Sequence, residues 1–593
     1  MFYTFCYLWG NSQIVLGGIQ MKKVFALILV LAVCLSLMAG CGNNSSTPGT
    51  SSSPPSGSPG TNAPGSSDPN TPANSSNPSV PLPSKTINIA LQVPANVGDD
   101  PLRFPQSSIG PRSYGEMVYE PLLMSDGFGA IHPWLAESYE YNDAATEWIF
   151  KIRKDVTFSN GEVMNADDVV LSYNRLVERY TGRDAAYIQS LAPDNLIIGA
   201  EKIDDYTVKI NMSYTYGGTI LAFTDVMIIP DELYAEKGDD LFINQETGSF
   251  IGTGPWVIQE HIGNQKATFA KNTNYWNKSY NSYYDEVVFR FITEQTTAIA
   301  ACTSGDIQAW TPSGGIRNDL LPQLDSVKDK FDVYATPQKS YFYGQFNTAE
   351  GKPFNDQKVR EAWFMAIDFE SIVEYVFGGG TVMTQFVPEG FEGFDPSISP
   401  YEFNPEKAKQ LLAESSYDGS EVAFYAGHST LFGEDQLLAI GDYVSAVGFN
   451  VKPQVIENST LNEVRTAGDY DSFVAVGNLN DASPLVYLTL RIRDDAHSHN
   501  FYDEQLMTDI DKGAKSVDPV TRADYFSKAY GRMRELSGPL YGLYYATHHA
   551  AVGYGIHGVR LDIGGQQYFQ FIDFDPDNPN TDHGVRWDVL LNY

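Results

Sequence analysis

Between Gly42 and Lys85 the chain is almost entirely Ser, Pro, Gly, Asn and Thr, with Asp68 and Lys85 as its only charges. Such a tract exposes too little apolar surface to offset the entropy lost on ordering it. It divides the sequence into a leader and a body, residues 86–593, that is left to fold. As a flexible chain the tract reaches roughly 35 Å root-mean-square. The body is long enough for two or three domains with sizeable cores.

The leader reads as an export signal. Lys22 and Lys23 form a basic head, Val24 to Met38 an apolar middle, and Ala39-Gly40-Cys41 a small-residue end. These are the three parts of a secretory signal. The apolar run falls short of the about 20 residues that span a bilayer. Leu37-Met38-Ala39-Gly40-Cys41 resembles the bacterial lipobox, whose cysteine is acylated and becomes the first mature residue; Met38 stands where Leu is usual. Residues 21–40 are therefore expected to be a lipoprotein signal peptide, Cys41 the lipidation site and 42–85 a disordered tether. Residues 1–20 precede a second methionine, and Gly17-Gly18 must be encoded GGN-GGN two codons before Met21. That resembles a ribosome-binding site, so translation is expected to begin at Met21. Two acyl chains anchor stably without a transmembrane helix. The body is expected to work outside the cytoplasm, on the outer face of the cell membrane or its periplasmic side.

Charge narrows the partners. The whole chain carries −34; removing the +2 of Lys22 and Lys23, with Asp68 and Lys85 cancelling, leaves −36 on residues 86–593. Nucleic acid and anionic membrane surfaces both need a basic footprint, so neither is expected as a partner. Of the cysteines only Cys302 lies in the body, which excludes an internal disulfide; Cys302 is expected to be a small buried apolar residue. His-Glu-x-x-His, Gly-x-Ser-x-Gly and Gly-x-x-x-x-Gly-Lys-Ser/Thr are absent. We expect no catalytic residue, no bound metal and no cofactor. His497 and His499 beside Asp494 and Asp495 read as solvated loop polarity. His548 and His549, adjacent in a strand, point to opposite faces.

Along the body, strands and helices alternate without a repeat. Thr86–Leu91 alternates as an opening strand, and 148–153 and 206–211 read likewise. Asn165 is placed to cap a helix with Asp167 and Asp168 in its first turn, and Asn404-Pro405-Glu406 opens another. This mixture predicts an α/β protein with several sheets.

A family resemblance rests on many of these segments. Leu135-Ala136-Glu137-Ser138-Tyr139, Phe150 to Gly161 and Asn165 to Leu176 resemble a signature stretch of family 5 extracellular solute-binding proteins. Ile251-Gly252-Thr253-Gly254-Pro255-Trp256, Asn272 to Trp276, Gly305-Asp306-Ile307 and Phe346-Asn347-Thr348 continue it in order. So do Val359 to Ala362, Ala366-Ile367-Asp368, Asn404 to Ala408 and Asp518 to Arg522. Most of these residues read as structural: Gly252 and Gly254 permit a tight turn, and Trp256 and Trp276 pack. The family comprises peptide- and nickel-binding components of ABC importers. The resemblance implies a two-lobed periplasmic-binding-protein fold of type II, in the large variant with an extra subdomain in the first lobe. Lobe I is expected to take 86–337 plus 545–593 and lobe II 338–544, with crossing strands near 341–347 and 543–546. It further implies a monomer whose lobes close on ligand and present it to permease subunits, nucleotide hydrolysis belonging to a separate ATPase.

The resemblance also implies a ligand site. In peptide binders an Asp after a Gly-Trp pair meets the peptide ammonium group. The matching stretch here is Gly477-Asn478-Leu479-Asn480-Asp481-Ala482-Ser483-Pro484. Asp481 takes the Asp position, Asn478 replaces the aromatic, and Asn478 and Asn480 are expected beside the ligand. A carboxylate facing an ammonium group is apt out of water, since each satisfies the other; as a bare loop residue, Asp481 would instead cap Ser483-Pro484. A nickel-chelate reading draws on Met117 to Leu122 and Thr157 to Glu162, with Arg183 ahead of Tyr187 as the chelate's partner; no second arginine stands near 223–229. An oligosaccharide would suit the 36 Tyr and 8 Trp, although aromatics also fill cores. A secreted hydrolase with paired carboxylates is the remaining alternative.

Overall fold

The computed structural model describes residues 83–92, 100–103, 115–126, 130–180, 196–243, 250–312, 315–336, 340–376, 378–427, 434–478, 488–489, 492, 500–561, 567–577 and 584–591. The leader, Cys41 and nearly all of the tether lie outside them. No helix among the described residues is long and apolar enough to cross a membrane.

Two large sheets organise the body. The first has seven strands, in the order 331–336, 548–553, 309–310, 86–91, 286–291, 266–271 and 256–262. Thr86–Leu91 is central and pairs in parallel with both Glu286–Phe291 and Ala309–Trp310. Ile87, Ile89, Ala90 and Leu91 are all buried, because both faces of a parallel strand are covered. The second sheet has six strands, in the order 380–382, 540–546, 340–346, 472–478, 422–427 and 451–456. Its helices Gln357–Ala366, Pro405–Ala413 and Glu434–Ala446 bury Trp363, Leu411 and Ile440 among Phe424, Val422 and Phe346.

A smaller four-stranded antiparallel sheet joins Ala136–Tyr141, Glu147–Ile152, Thr207–Met212 and Ile197–Asp204. The expected strands at 148–153 and 206–211 are present, each displaced by one residue. In Thr207–Met212 buried Val208, Ile210 and Met212 alternate with partly exposed neighbours, the period of a half-buried strand. The helix Ala166–Tyr180 covers this sheet and places Tyr173 on Phe223. Asn165 caps it, its Oδ1 accepting from Asp167 N at 2.8 Å. Asn404 and Asp518 cap their helices in the same way, accepting from Lys407 N and Thr521 N.

The chain leaves the seven-stranded sheet after Thr336, enters the six-stranded one at Ser340, and returns between Ala546 and His548. The strands at these passages, Ser340–Phe346 and Leu540–Ala546, pair antiparallel in the middle of the second sheet. These two passages are the covalent links between the sheets, and buried apolar residues from both sides of them also pack in one cluster.

Candidate functional site

The strand Ser472–Asn478 runs towards the crossings. Its register sets Asn478 opposite Ser340, while Tyr341 lies opposite Tyr545 and Gly380 opposite Ala546. The strand therefore ends at the edge where both connections pass between the sheets. Asn478 is its last residue. Asn480, Asp481, Arg183 and Tyr187 lie outside the described residues, as do His497 and His499. In the ladder His548 is paired with Thr336 and His549 with Ala335. Burial holds the His549 imidazole below its ordinary pKa.

The family-motif residues are structural supports with specific partners. Gly252 and Gly254 are required by close approach: a Cβ on Gly252 would lie 2.0 Å from Val118 O, and one on Gly254 2.5 Å from Met117 O. Neither needs a left-handed backbone, so the reason differs from the turn expected of them. Trp256 Nε1 donates to Gln570 O, and Asn272 Nδ2 to Gly254 O, both at 2.8 Å. Arg360 is buried and donates to four carbonyls, those of Phe354, Asn355, Leu536 and Ser537. It joins the helix Gln357–Ala366 to the end of the helix Pro519–Glu535. Cys302 is fully buried, and burial pushes its thiol up to about 12, so it is an inert packing residue.

Two carboxylate centres carry the electrostatics. Glu120 is completely buried, and each oxygen accepts twice. Oε1 accepts from Trp134 Nε1 at 2.8 Å and Tyr275 OH at 2.7 Å; Oε2 accepts from Thr253 Oγ1 at 2.8 Å and Trp276 Nε1 at 2.9 Å. Burial raises its pKa against these four donors. Sequence reading placed Glu120 only within a family stretch, because its donors come from residues 14 to 156 positions away. The second centre groups Glu162, Asp168 and Asp231 within 4.8 Å. Asp168 Oδ2 accepts from Asn165 N at 2.7 Å and Oδ1 from Asp231 N at 2.9 Å, so backbone amides already occupy it. Burial pushes the Asp168 carboxyl well above the ordinary aspartate value. A cavity of about 50 Å³ is lined by Tyr401, Tyr530 and Met533; it has room for a few waters but not for a peptide.

These shifts give stability a sign. Glu120, Asp168 and Asp573 have raised values, chiefly from burial, so the folded chain keeps protons that the unfolded chain has released above about pH 4. Their contribution is present at low pH and is lost as pH rises through the folded values. Asp395, bonded by Ser397, and Asp503, bonded by Arg532, are lowered, and theirs is lost as pH falls through their depressed values. The melting temperature is expected to peak in mildly acidic buffer and to fall towards pH 8, as the −34 charge also favours. Calorimetry from pH 4 to 8 checks this; a steady rise to pH 8 would contradict it.

Residues 130–496 match the model of the bacterial extracellular solute-binding proteins, family 5, middle region. The chain belongs to this family. The periplasmic oligopeptide-binding protein OppA of Haemophilus influenzae is 25% identical over 451 residues, covering 72% of this chain and 82% of the relative. Among solved structures, the murein tripeptide-binding protein MppA in its unliganded open form superposes with a TM-score of 0.70 at 20% identity, covering 84% of this chain and 98% of that one. NikA of Brucella suis in complex with Fe(III)-EDTA gives 0.70 at 20% identity, with 83% and 100% covered. This family 5 protein accordingly has the two-lobed α/β fold of periplasmic binding proteins, and works outside the cytoplasm as its periplasmic relatives do. Its two large sheets joined by paired crossings are that architecture at the level of strands.

Proposed function

We propose that this chain is the lipid-anchored solute-binding component of an ABC importer and that its ligand is a peptide. The observation that carries the reading is the placement of the strand Ser472–Asn478, which ends beside both crossings. Asp481 follows that strand by three residues, a span of at most about 11 Å in any conformation. The likeness to an oligopeptide binder along 82% of that relative's length supports the same ligand class. Lobe I comprises 86–337 plus 545–593 and lobe II 338–544; the change of sheet after Thr336 and after Ala546 supports this division. The protein acts as a monomer, catalyses nothing, and delivers its solute to permease subunits served by a separate ATPase. Asp481 receives the peptide ammonium group, with Asn478 and Asn480 beside it.

Mass spectrometry of solute released on denaturing the purified protein tests the ligand class directly. Unblocked peptides are the expected release. A metal chelate would instead favour the reading that rests on Arg183 and Tyr187, and an oligosaccharide would exclude both.

The anchor is tested separately. Labelled palmitate is expected to enter the wild type, and Cys41→Ala to abolish both labelling and membrane retention. Unlabelled, soluble wild type in the medium would refute acylation at Cys41.

A further inference from the structure

The helix Pro519–Glu535 begins with Asp518 as its cap, and four residues on stands Arg522, the last residue of a family stretch whose role the ligand site does not explain. Its side chain is 13% exposed and makes a two-pronged pair with Glu392, Nε to Oε1 at 2.6 Å and Nη2 to Oε2 at 2.7 Å. That pairing fixes the plane of the guanidinium group. The remaining nitrogen, Nη1, donates to the carbonyls of Ser516 and Val517 at 3.1 and 3.2 Å, and to Gly217 O at 3.0 Å.

Gly217 lies in the other half of the molecule, between the strand Thr207–Met212 and the helix Thr219–Asp225. Its N–H donates to Ala514 O at 2.7 Å. Both polar groups of one peptide residue are thus held by the second lobe, one by a carbonyl at the end of the helix Glu504–Lys515 and one by Arg522. The approach is too close for any side chain: a Cβ on Gly217 would lie 2.3 Å from Ser516 O and 2.9 Å from Arg522 Cδ. Gly217 is buried there. A second bond crosses between the halves, Asn318 Nδ2 to Gly378 O at 2.6 Å.

We propose that Gly217, Arg522 and Glu392 form a clasp that holds the lobes closed and sets how long the ligand stays, with Arg522 as the positioning residue. The proposal rests on the division into lobes given above. The physical case is one of reach and geometry. The covalent crossings tie the lobes at one edge only; the Gly217 contact adds a polar, directional link through elements remote from them in sequence, beside the apolar packing between the halves. Backbone groups gripped by a carbonyl and a pre-oriented guanidinium lose few rotamers on pairing, so the contact is made and broken at low entropic cost. Such a contact forms whenever the lobes meet, with or without ligand, and must break before a bound ligand can leave, so it acts on dissociation.

Hydrogen–deuterium exchange of the full-length protein in detergent micelles tests the clasp without a ligand, with Arg522→Gln and Glu392→Gln as variants. Exchange across 213–218 is expected to quicken at least tenfold in Arg522→Gln and threefold in Glu392→Gln. The strands Glu286–Phe291 and Leu540–Ala546 should keep their wild-type protection. With tri-alanine as probe, dissociation from Arg522→Gln should be at least tenfold faster while association stays within twofold. Unchanged exchange across 213–218 in both variants overturns the proposal. So does protection lost equally from both sheets in both variants, because the contact would then belong to the folding core. Dissociation and association slowed or hastened together would likewise overturn it. Failure of tri-alanine to bind the wild type counts against the peptide ligand alone; the exchange result decides the clasp in either case.

Discussion

Asp481→Ala is expected to weaken binding of an unblocked peptide by roughly two to four powers of ten while leaving the melting temperature of the ligand-free protein little changed. A peptide ammonium group entering a closed cleft gives up its water, and a fixed carboxylate is the simplest replacement. Removing one member of such a pair typically costs about 3–5 kcal/mol, since the other charge is stranded, and that energy corresponds to the stated loss of affinity. N-acetylated peptides should bind the wild type poorly for the same reason. Isothermal calorimetry with free and acetylated forms of one peptide distinguishes the outcomes. Equal binding of both forms, or wild-type affinity in Asp481→Ala, would remove the ammonium–carboxylate pair from the account. A metal chelate held through Arg183 or a stacked sugar would then move ahead.

The largest stability effect is expected at Glu120. Truncation to alanine deprives Trp134, Thr253, Tyr275 and Trp276 of their shared acceptor at once. An indole N–H can only donate, so both tryptophans would be left with buried, unsatisfied groups. Each such group costs about 1–3 kcal/mol, and a cavity adds to the loss. The residues concerned tie the turn at Gly252–Gly254 to the segment 117–120, where backbone already meets backbone. Glu120→Ala is therefore expected to lose at least about 4 kcal/mol. Glu120→Gln should lose less, since its carbonyl oxygen still accepts, but its amide donors face two of the four. Chemical denaturation followed by tryptophan fluorescence measures both. A Glu120→Ala midpoint equal to the wild type's would mean that the four donors find other acceptors.

The clasp and the ligand site bear on different steps of the same cycle. Asp481 would contribute whenever ligand is bound, whereas Arg522 acts only once the lobes meet. A protein in which both are altered is expected to show losses in affinity that add.

Much of this molecule was legible in its sequence. The opening strand Thr86–Leu91, the caps Asn165 and Asn404, and the strands that cross between the sheets all follow from local periodicity, capping chemistry or family motifs in chain order. These are short-range properties, fixed by side chains within a few residues of one another, and they survive reading one residue at a time. The family, and with it the two-lobed fold, was likewise carried by ordered local motifs. What the sequence left unstated is long-range. The role of Glu120 needs donors from three distant segments to converge on one carboxylate. Gly252 and Gly254 looked like turn residues, and only the packed structure reveals the backbone of 117–118 in the space a side chain would fill. Arg522 was a motif residue without a task until Gly217, 305 positions earlier, came within 3.0 Å of it. Spacing along the chain encodes local geometry, whereas contacts across it depend on how whole layers pack, and that is settled only when the layers are in place.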